Sequence, residues 1–100
     1  MKTIPAKFTL KEWSVEERPR EKLISQGSQK LNNAELLALL IGSGNPGETA
    51  VQLMQRLTAS LDHDLTALHR ISLDALSQWK GIGPAKAVKI KAALELGKRI

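Results

Sequence analysis

Gly81-Ile82-Gly83, followed directly by Pro84, is the segment of this chain whose residue types and spacing point most clearly to chemistry. Two glycines permit positive φ and allow close approach to backbone N–H groups. Pro84 marks a helix start, where its missing N–H costs nothing. An open turn beside a helix N-terminus forms an anion site suited to phosphate. The expected donors are the backbones of Gly81, Ile82, Gly83 and Ala85. Lys80 adjoins the turn, and Lys86 and Lys89 follow in the first two turns of the helix, placed to reach neighbouring phosphates. Ile82 is expected to turn inward as an anchor, with Trp79 packing beside it rather than stacking on a base. A plain helix–helix corner would also use the glycines, but it has no need of the lysines that follow.

Charge supports the same region. The net charge is +5 at pH 7, and residues 80–100 hold six bases (Lys80, Lys86, Lys89, Lys91, Lys98 and Arg99) against one acid, Glu95. The whole excess lies in the last fifth of the chain, the pattern of a local footprint for a polyanion. A solvated lysine-rich helix face is the competing explanation.

Other constellations fail on their context. Gly42-Ser43-Gly44-Asn45-Pro46-Gly47 spells Gly-x-Gly-x-x-Gly, with Asp62 about twenty residues on, as in a dinucleotide fingerprint. Gly42 through Thr49 also nearly spells a phosphate-binding loop, with Glu48 in the lysine position. Both need a preceding strand, whereas Asn33-Ala34-Glu35-Leu36-Leu37-Ala38-Leu39-Leu40 reads as a capped helix. His63 and His69 are six apart and do not share a helix face as a metal pair would. Asp62 and Asp64 flank His63 where carboxylates suit a helix start. Ser43 is a turn residue, and Glu16-Glu17 is an exposed acidic pair. Lys80, solvated beside the turn, is expected to contact phosphate rather than form a Schiff base. No catalytic, metal or cofactor set is expected. The sequence has no cysteine, which excludes disulfides and thiolate metal sites. No apolar run approaches the ~20 residues of a membrane span, and no leader opens the chain, so a cytoplasmic location is expected.

The elements that must position these residues are helical. Residues 1–13 show no helical period and predict an extended arm packed by Phe8 and Trp13. Ser14 and Glu17 have capping-box spacing. Pro19 begins a helix that Gly27 ends. Asn32 or Asn33 caps a helix from Ala34 to Ile41, and helix resumes from Glu48 to about Ser60. Asp62 or Asp64 caps a short helix through His69. Ser72 caps another from Leu73 to Trp79, and the last helix runs from Pro84 to the chain end.

Two stretches repeat one frame. Leu37 and Leu40 stand five and two residues before Gly42, as Leu76 and Trp79 stand before Gly81. Ala50 and Leu53 are three apart, as are Ala87 and Ile90. The first copy has a turn two residues longer. A duplicated helix–turn–helix unit buries one face against its twin, which solves the core problem of a chain with room for one modest core.

Leu76-Ser77-Gln78-Trp79-Lys80-Gly81-Ile82-Gly83-Pro84-Ala85-Lys86-Ala87-Val88-Lys89-Ile90 resembles the helix–hairpin–helix motif of proteins that bind DNA without sequence specificity. Many members carry Pro before the first glycine, where this chain has Lys80. Together with Arg18-Pro19-Arg20-Glu21-Lys22-Leu23 and Asn33-Ala34-Glu35-Leu36-Leu37-Ala38, the chain resembles the N-terminal region of the bacterial RadC family, labelled as DNA repair proteins. The resemblance implies continuation, in full-length members, into a JAMM-type metallopeptidase-like domain whose His-x-His and Asp zinc ligands do not occur here. Glu95-Leu96-Gly97-Lys98-Arg99-Ile100 stops within a helix, as expected of an excised domain.

These observations predict an all-α domain: an arm and first helix over residues 1–30, then two helix–hairpin–helix units over 31–100, the first at 33–60 and the second at 72–98. The expected function is binding of the DNA backbone through Lys80, Gly81, Ile82, Gly83, Ala85, Lys86 and Lys89. Gly42, Ser43, Gly44, Asn45 and Gly47 form a candidate second hairpin. The rival is a protein-interaction or dimerisation module, with the C-terminal domain of a full-length chain as one partner.

Overall fold

A computed structural model describes residues 18–100. The arm expected over residues 1–13 and the capping box at Ser14 lie outside the described residues. Six α-helices follow in order: α1 (Arg18–Gln26), α2 (Asn33–Ile41), α3 (Ala50–Ser60), α4 (Leu65–Arg70), α5 (Leu73–Gln78) and α6 (Gly83–Lys98). A single 3-10 turn, Ser28–Lys30, links α1 to α2. Among the described residues the only β pairing is an isolated antiparallel bridge, Asn45 with Glu48, so the domain is all-α. No described helix is long and apolar enough to cross a membrane.

Local chemistry sets the helix limits. Pro19 lies buried in the first turn of α1, and Gly27, at φ 89°, ends that helix with its N–H on the Leu23 carbonyl. Asn32 caps α2 in a reciprocal capping box with Glu35; Asn33 is the first helical residue. Lys22 on α1 reaches Glu35 at 3.2 Å, which ties the first helix to the start of the second. The third helix begins later than Glu48. Thr49 caps α3, again by a capping box, with Gln52. Glu48 is held outside the helix by its bridge to Asn45, which the glycine-rich spacing alone does not reveal. Asp64, not Asp62, caps α4. Asp62 and His63 instead take positive φ, 54° and 59°, in the turn that joins α3 to α4. The α5 helix stops at Gln78, one residue short of Trp79.

α2 pairs with α3, α5 pairs with α6, and α2 crosses α6. The core lies where the two pairs meet. Leu53, Met54 and Leu57 of α3, Leu68 of α4, Leu76 of α5 and Ile90 of α6 are fully buried there. The repeat reappears in this burial. Leu37 and Leu76 are buried at equivalent places, as are Ala50 and Ala87, and Leu53 and Ile90. Leu40 and Trp79 both pack partly buried against the core. Small alanines at 50 and 87 let each second helix approach the core closely. Burying leucine or isoleucine at the other matched positions contributes about 1.5–3 kcal/mol each.

Candidate nucleic-acid interface

The second turn is built by three successive devices. Ser72 caps α5, so this short helix is fixed at its start. At its end the Trp79 N–H donates to Leu76 O at 3.1 Å, and the Ile82 N–H donates to Trp79 O at 3.0 Å, closing the turn. Gly81 and Gly83 then take φ of 92° and 70°, a region that disfavours side chains with a Cβ. Ile82 between them is buried, as its apolar character predicts, and anchors the turn in the core.

The start of α6 differs from the starts of α2 through α5. Asn32, Thr49, Asp64 and Ser72 each place a side-chain oxygen on a first-turn N–H. At α6 the equivalent residue is Ile82, which has no such oxygen, and Pro84 occupies the first turn. The N–H groups of Gly83 and Ala85 therefore meet no side-chain cap among the described residues. A Cβ on Gly83 would meet nothing within 4 Å, so the space beside it is open.

The lysines separate into two groups. Lys80 and Lys89 are exposed beside the turn and on the second turn of α6. Lys86 is half-buried, with its Nζ 3.3 Å from Asn45 Oδ1 and 3.4 Å from the Gly44 carbonyl. It faces the first hairpin. Lys91 also turns inward, donating to the carbonyls of His69 and Ile71 at the end of α4, and Arg99 pairs with Glu95 at 3.0 Å. The C-terminal positive charge is thus partly consumed inside the domain.

The first turn has a different interior. Gly42, at φ 85°, ends α2. Asn45 and Glu48 exchange backbone hydrogen bonds of 2.8 and 2.9 Å around Pro46-Gly47, with Gly47 at φ 80°, the signature of a type II turn. Gly44 is required by crowding: a Cβ there would lie 2.2 Å from Glu48 O and 2.5 Å from the Thr49 carbonyl carbon. That crowding is confined to Gly44: a Cβ on Gly42 or Gly47 would meet nothing within 4 Å. Gly42, Ser43 and Gly47 are exposed, whereas Gly44 and Asn45 are half-buried. The helix that precedes Gly42 also excludes the nucleotide-binding readings of this segment.

Arg56, on α3, is a residue that spacing did not single out. Its guanidinium makes a forked pair with Glu48, at 2.8 and 2.9 Å. The same group lies 4.4 Å from the centre of the Trp79 ring and donates to Lys80 O at 2.9 Å. From the first turn, Asn45 Nδ2 donates to Gly81 O at 3.1 Å. Along the sequence Arg56 is one polar residue on the outer face of an amphipathic helix, and Asn45 is an ordinary turn former. Only the packing of the two hairpins brings them to Trp79, Lys80 and Gly81.

The hydrogen bond from Arg56 is the main cause holding the Glu48 carboxyl below its ordinary value, and partial burial opposes it. The reciprocal bond raises the Arg56 guanidinium. Glu95 is also lowered, first by Arg99 and then by His69. His69 lies 3.3 Å from Glu95, while His63 is exposed. No group of three or more His, Asp or Glu side chains able to hold a metal occurs among the described residues.

Comparisons with known proteins place the chain. The family model described as UPF0758 N-terminal matches residues 10–88. UPF0758 proteins from Flavobacterium johnsoniae, Porphyromonas gingivalis and Coprothermobacter proteolyticus are 52%, 47% and 50% identical to it over 92, 94 and 93 residues. Each alignment covers 92–93% of this chain and 39–41% of the relative, so the chain spans about two fifths of the length of the curated relatives it matches. No solved structure matches. The all-α fold, the matched residues and the degree of identity agree: the chain belongs to the UPF0758 family, the RadC family of its motifs, and corresponds to that family's N-terminal domain.

Proposed function

We propose that this domain binds the sugar-phosphate backbone of DNA through the turn between α5 and α6, without reading bases. The observation that carries the reading is the start of α6. It has no side-chain cap, is preceded by two positive-φ glycines, opens to solvent at Gly83 and is flanked by exposed Lys80 and Lys89. Backbone donors at a helix N-terminus favour an anion, and the two exposed lysines add positive charge beside it. Within a full-length relative the domain would act as a targeting module for the remaining chain. Titration with duplex, nicked and single-stranded DNA at two salt concentrations tests this. Binding must weaken steeply as salt rises, because phosphate contacts release counterions.

A second reading rests on a separate feature. An apolar groove of about 530 Å³ runs between α4 and α6, with Leu65, Ala93, Leu94 and Gly97 among its lining residues. It suits a protein-interaction module, with the rest of a full-length chain as one candidate partner. Association there would be nearly insensitive to salt, which separates it from the DNA reading.

A further inference from the structure

We infer that the first hairpin is a bracket that sets the peptide planes of the second, with Asn45 and Arg56 as positioning residues. The inference deepens the DNA reading and rests on it for the ligand alone.

The argument starts from the planar trans peptide, in which the N–H and C=O of one unit point in opposite directions. Arg56 Nη2 holds the Lys80 carbonyl at 2.9 Å. The N–H of the same unit, that of Gly81, is thereby aimed away from α3. Asn45 Nδ2 holds the Gly81 carbonyl at 3.1 Å. The N–H of that unit, that of Ile82, points the other way and meets Trp79 O at 3.0 Å. Two side chains from one hairpin therefore fix two consecutive peptide units of the other.

Both positioning groups are themselves oriented. Lys86 Nζ lies 3.3 Å from Asn45 Oδ1, which leaves the amide nitrogen for Gly81. Arg56 is gripped by the carboxylate of Glu48 on one side and the ring of Trp79 on another. A forked Arg–carboxylate pair restricts rotation more than a single bond does. A Cβ on Gly81 would lie 2.8 Å from Asn45 Nδ2 and 3.2 Å from Arg56 Nη2. The bracket therefore requires glycine at that position for space as well as for φ. Lys86 serves this bracket, and phosphate charge falls to Lys80 and Lys89.

Two variants that conserve charge test the inference. Asn45→Ala removes the amide, and Arg56→Lys keeps the charge but loses the fork. Backbone amide order parameters of Gly81 and Ile82 are measured by NMR, together with affinity for a short duplex at two salt concentrations. The expected result is a fall in those order parameters from rigid values near ~0.85 toward ~0.6. Helix content should be unchanged, and affinity should fall on the order of tenfold with an unchanged salt slope. Should Asn45→Ala fail to fold, Arg56→Lys carries the same test. Unchanged order parameters in the folded variants would overturn the bracket, whatever happens to DNA binding. Mobile amides combined with wild-type affinity would overturn the bracket's part in holding phosphate. If the parent domain binds no DNA at low salt while the variants loosen the turn, the DNA reading fails and the bracket is supported by relaxation alone.

Discussion

Gly42 ends α2, and Gly81 lies three residues past the end of α5; the two take nearly the same φ, 85° and 92°, and the core residues around them match in burial. Two residues later the hairpins part. Gly83 takes φ 70° with open space beside it, whereas Gly44 is packed against the backbone of residues 48–50. The helix after Gly44 is closed by Thr49 and Gln52, and the helix after Gly83 has no cap. The two stretches thus match in the faces that form the shared core and differ at their tips. One tip closed on itself and turned its polar groups toward its twin. The other has no side-chain cap on its first turn and leaves open space beside Gly83.

The largest expected effect tests why each second glycine is glycine. Gly44→Ala should destabilise the fold by about 3 kcal/mol, because backbone atoms surround the added Cβ and cannot yield cheaply. Gly83→Ala has only its positive φ to overcome, costing about 1 kcal/mol. Urea denaturation of both variants measures the difference, and equal losses would erase the distinction between the tips. Next, Gly83→Val should weaken duplex binding more than loss of one lysine does, while circular dichroism retains most of the helix signal. Normal DNA affinity in a folded Gly83→Val protein would remove this turn from the interface.

The lysines give a smaller and sharper contrast. Lys80→Ala and Lys89→Ala should each weaken binding uniformly across sequences and reduce the salt slope by about 0.9. Lys86 stands on the same helix, and its side chain reaches Gly44 and Asn45. Lys86→Ala should therefore lower affinity with little change of slope. A full unit of slope lost on Lys86→Ala would make it a phosphate contact like the others.

The smallest effect is a pH dependence of the first hairpin. Arg56 lowers the Glu48 carboxyl, so folding gains stability from this pair above the ordinary carboxylate value of 4.5. That gain is lost as pH falls through the lower folded value. Glu48→Gln should remove this part of the acid sensitivity, while Glu95, lowered separately by Arg99 and His69, retains its own. Thermal melts of parent and variant from neutral pH to below 4.5 check the sign. The change should be modest, because both partners remain partly exposed to water.

Much of this was legible in the sequence because it depends on neighbours along the chain. Pro19, Gly27, Asn32, Ser72 and the Gly81 turn act locally, and the repeat revealed which leucines and alanines share the core. The start of α3 was misplaced because Glu48 looks like a first-turn acid, while its backbone belongs to a turn closed by Asn45. Charge counting treated Lys86 and Lys89 alike, since periodicity places both near the turn. Their separation depends on the first hairpin lying across one face of α6. Arg56 escaped notice for the same reason: its partners at Trp79 and Lys80 are distant in sequence and meet it only after the two pairs pack.

Amide chemical-shift mapping of the isotope-labelled domain against a short DNA duplex tests the central claim most directly. The account predicts shifts centred on Gly81, Gly83 and Ala85 that fade as salt rises, with residues 42–47 little changed. Shifts centred instead on Leu65, Ala93 and Leu94, or on the Gly42–Gly47 turn, would contradict it.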